Sequence, residues 1–128
     1  MVDAYWQISA RALDRFVHPR NLGPLPNADG QARVTGPCGD TMEIWLRVER
    51  GRIARATFVT DGCGPSLASG SMVTELAEGM SLEEASHLQQ NDVLDALGGL
   101  PEESTHCAVL AVITLRAAIE GFSSGLGT

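Results

Sequence analysis

The stretch Thr57–Met72, TFVTDGCGPSLASGSM, reads as a strand, a tight turn carrying a cysteine, and the start of a helix. Gly62 precedes Cys63, and Gly64-Pro65 follows it. A glycine on each side lets the backbone bend sharply and come close to a bulky ligand. Pro65 suits a first helical turn, where a missing N–H costs little. A cysteine just ahead of a helix N-terminus feels the positive end of the helix dipole, which favours the thiolate. The thiolate is the form that binds metal or attacks sulfur. A structural cysteine more usually sits on an apolar face than in DGCGP.

Upstream of this turn the pattern has period two. Thr41–Val48 alternates, with Met42, Ile44, Leu46 and Val48 on one face and Glu43, Trp45 and Arg47 on the other. Ile53–Thr60 alternates in part, and Glu49-Arg50-Gly51-Arg52 between the two predicts a hairpin. A short strand over Gln31–Thr35 precedes them, joined to the second by Gly36-Pro37-Cys38-Gly39-Asp40, another cysteine-bearing turn. Leu22–Gly30 is a loop rich in Pro, Gly and Asn. Before it, Tyr5–Val17 predicts a helix whose stripe runs through Ile8, Ala12 and Phe16, ended by His18-Pro19.

Downstream the period becomes helical. Ser66–Glu78 predicts a helix stopped by Gly79. Ser81 and Glu84 fit a capping box that opens another helix to about Leu88. Asn91 or Asp92 is expected to cap a further short helix through Leu97, closed by Gly98-Gly99. Thr105–Gly121 predicts a strongly apolar last helix with His106 and Cys107 at its start, and the tail from Gly121 reads as frayed. Three strands followed by helices, with a leading helix, predict an α+β fold: a small three-stranded antiparallel sheet with helices packed on one face, an N-terminal helix and a long C-terminal helix.

The 128 residues fit a single domain, and 44% hydrophobic residues supply a core that 5% aromatics leave mostly aliphatic. A net charge of −7 argues against sequence-independent nucleic-acid binding. No run approaches the roughly 18 uninterrupted apolar residues that would cross a membrane. The N-terminus shows no basic and then apolar leader. Three cysteines, an odd number, in such a chain point to reduced thiols and a cytoplasmic protein.

Cys38 with Asp40, Cys63, and His106 with Cys107 are the candidate ligands. No pair of cysteines forms CxxC, so neither a zinc finger nor a thioredoxin motif is present. Each cysteine instead lies at an element boundary. In an antiparallel sheet the two cysteine turns share one end, and the last helix need only point its N-terminus there for three thiols, an imidazole and a carboxylate to converge. Such a donor set suits zinc or an iron–sulfur cluster. By habit a cysteine outside a disulfide is a small buried hydrophobe. Cys107, beside an apolar run, fits that habit best; Cys38 and Cys63, in polar glycine-rich turns, fit it worst.

Four segments carry a family resemblance: HPRNLGPL, GPCGDTMEIWL, FVTDGCGPSLASGSMVTELAEGMSLEEA and LGGLPEESTHCAVLAVITLRAAI. In order and spacing the chain resembles the iron–sulfur cluster assembly scaffolds of the IscU/NifU type. The segment Leu97-Gly98-Gly99-Leu100-Pro101 is nearest to the NifU N-terminal domain. The resemblance implies a single scaffold domain over residues 1–128 on which a [2Fe-2S] cluster is built, or a [4Fe-4S] cluster once two protomers pair as a homodimer, and then passed on. It implies Cys38, Cys63 and Cys107 as cluster ligands, Asp40 as the labile carboxylate, and His106 as an alternative fourth ligand or an assistant. Cys107 is the expected persulfide acceptor. The implied partners are a cysteine desulfurase, a ferredoxin-type electron donor, and recipient apo iron–sulfur proteins or carriers; no nucleic acid or membrane is implied. On this reading the protein is not an enzyme, since the product is its own cargo.

The chain departs from the IscU pattern where Leu-Pro-Pro-Val-Lys, the segment read by a dedicated heat-shock chaperone, is replaced by Leu100-Pro101-Glu102-Glu103-Ser104. It also lacks the insertion before the last cysteine that marks SufU relatives. Tyr5 is a few residues out of register with an N-terminal tyrosine of some members, and no role is carried over. Two other readings stand beside the scaffold. One is a zinc-bound sulfur-acceptor of the SufU type, with zinc on the same residues in the cluster-free form. The other is a thiol enzyme using Cys107 and His106, disfavoured because neighbours on a helix diverge by about 100°.

Overall fold

The computed structural model describes residues 9–37, 39–62 and 64–126, with the side chains of 123–126 left aside. The sequence positions of Cys38, Cys63, Tyr5 and the first residues expected in the N-terminal helix lie outside that set. The elements are α1 (Ala10–Val17), β1 (Gly30–Thr35), β2 (Thr41–Glu49), β3 (Arg52–Thr60), α2 (Gly64–Ala77), α3 (Leu82–Ser86), α4 (Gln90–Leu97) and α5 (His106–Leu126), with a short 3-10 turn over Glu102–Ser104 before α5.

The strands form one antiparallel sheet in the order β1-β2-β3, the α+β architecture that the alternation predicts. Register follows the pattern: Ile44 lies opposite Ala32 and Phe58, and Leu46 opposite Gly30 and Ala56. Met42, Ile44, Leu46, Ile53, Ala56 and Phe58 are fully buried on the face that the helices cover. Arg50 and Gly51 both have positive φ, +55° and +76°. This is the backbone of a two-residue hairpin turn whose twist suits the strands it joins. On the other edge of the sheet, residues 21–23 run beside β3: the Phe58 N–H donates to the Asn21 carbonyl at 2.9 Å, and the Gly23 N–H to the Phe58 carbonyl at 2.8 Å.

Helices α2 and α5 lie on the sheet. α2 is buried almost all round because it is built of small residues; Ala68, Ser69, Gly70 and Ser71 let β3, α1 and α5 approach closely. At Gly70 a Cβ would lie at 3.0 Å or less from three ring carbons of Phe58, so a glycine is needed there. The stretch Glu102–Phe122, which holds most of α5, is long and apolar enough to cross a membrane, with mean hydropathy 1.4, yet half of it is buried against the rest of the fold. α5 is a core helix.

Of the boundaries that differ from expectation, three have a clear physical cause. α1 starts at Ala10 because Ser9 caps it: the Ser9 hydroxyl accepts from the Ala12 N–H at 3.0 Å and donates to the Leu97 carbonyl. α4 is capped at Gln89, not at Asn91 or Asp92; Asp92 works from inside the first turn, its carboxylate accepting from the Gln89 N–H at 2.8 Å. The tail is not frayed at Gly121, since α5 continues to Leu126. Gly121 serves close packing instead of termination: a Cβ there would sit 3.1 Å from the Gln31 carbonyl oxygen on β1.

A forked ion pair fixes α1 on α2 and is braced from within α2. Arg15 forks onto Glu75 at 2.9 and 3.1 Å, and the Ser71 hydroxyl donates to the same carboxylate at 3.0 Å. Burial alone would favour the neutral acid, but these donors hold the Glu75 carboxyl below its ordinary range. The Phe16 ring lies against the first residue of α2, so close that any side chain at Gly64 would overlap it.

Candidate metal centre

The site is built at the end of the sheet where β1 turns into β2 and β3 runs into α2. In the first turn the Gly36 N–H donates to the Asp40 carbonyl at 2.8 Å and the Gly39 N–H to the Gly36 carbonyl at 3.0 Å, with Gly39 at φ +90°. Only a residue without Cβ adopts that conformation freely, and it sets Asp40 at the mouth of β2. The second turn is stitched to the first. The Thr60 hydroxyl donates to the Thr41 carbonyl at 2.7 Å, and the Thr41 N–H donates to the Asp61 carboxylate at 2.7 Å. Gly39 and Gly62, the described neighbours of Cys38 and Cys63, therefore belong to two turns tied together at one residue.

The third contributor is α5. Its N-terminus points at these turns and carries His106 and Cys107. One donor atom from each of Asp40, His106 and Cys107 lies within 4.8 Å of the other two. Asp40 is half-buried and Cys107 is buried, 5% exposed. The Cys107 sulfur and His106 Nε2 are 3.7 Å apart. The divergence expected of helix neighbours is thus overcome, since the long imidazole arm folds back over the sulfur.

The structure adds a residue that the sequence reading passed over. Ser66, 1% exposed, places its Oγ 3.2 Å from Asp40 Oδ2 and 3.4 Å from Cys107 Sγ. Nothing in SLAS marks it, because a serine in the first turn of a helix is commonplace. Next to the site, Val34, Gly36, Pro37, Val109, Leu110 and Ile113 line an apolar groove of about 190 Å³ that Asp40 and His106 also border. Val109 and Ile113 are 36% and 46% exposed there, an unusual state for large aliphatic side chains of a core helix.

Sulfur, nitrogen and oxygen donors side by side suit zinc or iron. A tetrahedral ion with bonds of about 2.0–2.3 Å keeps its donors within about 4 Å of each other. A trio spread over no more than 4.8 Å needs only small side-chain rotations to close on such an ion. The residues present fit a metal.

Relatives are found along nearly the whole chain. Over 112 residues it is 44% identical to an iron-sulfur cluster assembly scaffold protein IscU of Archaeoglobus fulgidus, covering 87% of this chain and 73% of that one. Over 121 residues it is 39% identical to the iron-sulfur cluster assembly scaffold protein IscU of Escherichia coli, covering 91% and 94%. The crystal structure of the N-terminal part of a NifU-like protein from Brucella abortus superposes with a TM-score of 0.73 at 18% identity, covering 95% of this chain and 99% of that one, and so shares the fold. Residues 7–126 match the model of the NifU-like N terminal domain, and the chain belongs to that family.

Proposed function

We propose that this protein is a scaffold on which an iron–sulfur cluster is assembled and from which it is handed on, and that residues 1–128 act as one scaffold domain. The observation that carries the reading is the convergence of Asp40, His106 and Cys107 at the end of the sheet where the two glycine-rich turns meet. The names of the IscU relatives support it. In this reading Cys38, Cys63 and Cys107 supply thiolates, and Asp40 or His106 completes the set. The cargo is a [2Fe-2S] cluster, and zinc occupies the same donors when no cluster is present.

Cys107 is the sulfur acceptor. Its sulfur takes the terminal sulfur atom of a desulfurase persulfide, leaving the desulfurase as a thiol, and a ferredoxin-type donor provides the electrons that reduce the bound sulfur to sulfide. A carboxylate oxygen holds iron less firmly than a thiolate, so Asp40 is the corner through which the cluster leaves toward an apoprotein. The protein performs this as a cytoplasmic carrier whose product is its own cargo, without turnover in the enzymatic sense.

The test is iron, acid-labile sulfide and zinc per chain, on protein purified without oxygen and reconstituted with a cysteine desulfurase, cysteine and ferrous iron. Near-equal iron and sulfide, lost in Cys63→Ser, is the expected result. Tightly held zinc with no sulfide uptake overturns the scaffold reading in favour of a sulfur-acceptor role. Asp40→Ala is expected to slow transfer to an apo-ferredoxin; transfer at the parent rate removes Asp40 as the exit.

A further inference from the structure

One buried side chain at the site belongs to no ligand set. Ser66 stands on the first turn of α2, and among the described residues its hydroxyl bonds only to Asp40 and Cys107. A hydroxyl has one hydrogen. It donates to the Asp40 carboxylate, which has no hydrogen to give, and its oxygen accepts from the Cys107 S–H. With 1% exposure, water does not replace it. The turn ahead of α2 presses on the same pair: a Cβ at Gly62 would stand 2.6 Å from Ser66 Cβ and 2.9 Å from Asp40 Oδ2. The Gly70–Phe58 contact one turn later holds α2 at fixed depth on the sheet. Ser66 is therefore a fixed point, whereas Asp40 sits half-buried on a turn and has somewhere else to go.

We propose that Ser66 is a positioning residue for the metal centre: its hydroxyl ties the Asp40 carboxylate to the Cys107 sulfur ahead of metal, so that the oxygen and sulfur donors are already set side by side. The proposal rests on the reading of Asp40 and Cys107 as donors. Orientation of ligands by a neighbouring hydrogen-bonding group is worth about 10- to 100-fold in metal affinity at other sites. A tie made by one hydroxyl belongs at the lower end.

The test is zinc affinity of the reduced full chain, read by competition with a chromophoric chelator, for the parent, Ser66→Ala, Asp40→Ala and the double variant, with Cys107→Ser as the control on the donor assignment. Ser66→Ala is expected to weaken zinc binding about tenfold. The metal-free thermal midpoint should fall by no more than the loss of one hydrogen bond allows, because a positioning role is read in the affinity. In the Asp40→Ala background the same change should do little, since its partner is already gone. Unchanged affinity in Ser66→Ala, or effects of Ser66 and Asp40 that simply add, overturns the proposal and leaves the donors standing. Zinc affinity that does not fall in Cys107→Ser overturns the donor assignment and the proposal with it.

Discussion

Replacing Gly70 by alanine sets helix propensity against packing, and the structure decides the sign. In an exposed helix interior the change would stabilise by about 1 kcal/mol. Here the new methyl meets three carbons of the Phe58 ring at 3.0 Å or less. Phe58 is fully buried and has no solvent to swing into. Overpacking of a filled core costs about 1–3 kcal/mol, and a clash with a ring closed in on every side belongs at the upper end. The net is a loss of about 2 kcal/mol. For a chain of this size that lowers the thermal midpoint by about 6–10 °C. Urea unfolding of the reduced, metal-free protein should show a lower midpoint with an unchanged slope. A second variant checks the cause: in a Phe58→Leu background, where the ring edge is gone, Gly70→Ala should become neutral or stabilising. A gain of about 1 kcal/mol from Gly70→Ala in the parent would refute the argument, because propensity alone would then account for it.

Two further outcomes are expected. Glu75→Gln should cost about 1 kcal/mol at neutral pH. The Glu75 carboxyl is held low in the folded state by Arg15 and Ser71 against the opposing effect of burial, so its contribution is present above the unfolded value near 4.3 and is lost as pH falls through the folded value. The stability gap between parent and variant, followed by denaturant unfolding at several pH values, should therefore close below about pH 4; a gap constant down to pH 3 would contradict it. Arg50→Asn should stabilise by about 0.5–1 kcal/mol, since Arg50 holds φ at +55°, a conformation that costs asparagine less than arginine. A fall in thermal midpoint would count against that account of the hairpin.

The fold was legible wherever one period governed a segment. Met42, Ile44 and Leu46 alternate, and all three are fully buried; the Ser81–Glu84 capping box forms as the spacing predicts, with bonds of 2.8 and 3.0 Å. Boundaries failed where a residue had two physical uses. The polar, glycine-bearing tail from Gly121 reads as frayed, but Gly121 is demanded by the close approach of α5 to β1. Asp92 reads as a cap, but it satisfies the Gln89 N–H from inside the helix. At the site, Asp40, His106 and Cys107 were legible because they are chemically unusual at element boundaries, and the structure brings all three together. Ser66 was not, because its importance lies in what it faces across the fold, and no local pattern encodes that.

The site's members come from parts of the chain far apart: Ser66 reaches Asp40 across 26 residues and Cys107 across 41. If Asp40 and Cys107 hold an ion as proposed, it is a removable cross-link between the β1–β2 turn and α5. Like a disulfide, it closes a long loop that the unfolded chain would otherwise leave open. Its binding free energy belongs to the cooperative stability of the whole chain, not to one turn. On that reading loading and tightening are one equilibrium: whatever draws the ion away loosens the turn–helix junction that held it, and whatever braces that junction raises the grip on the ion.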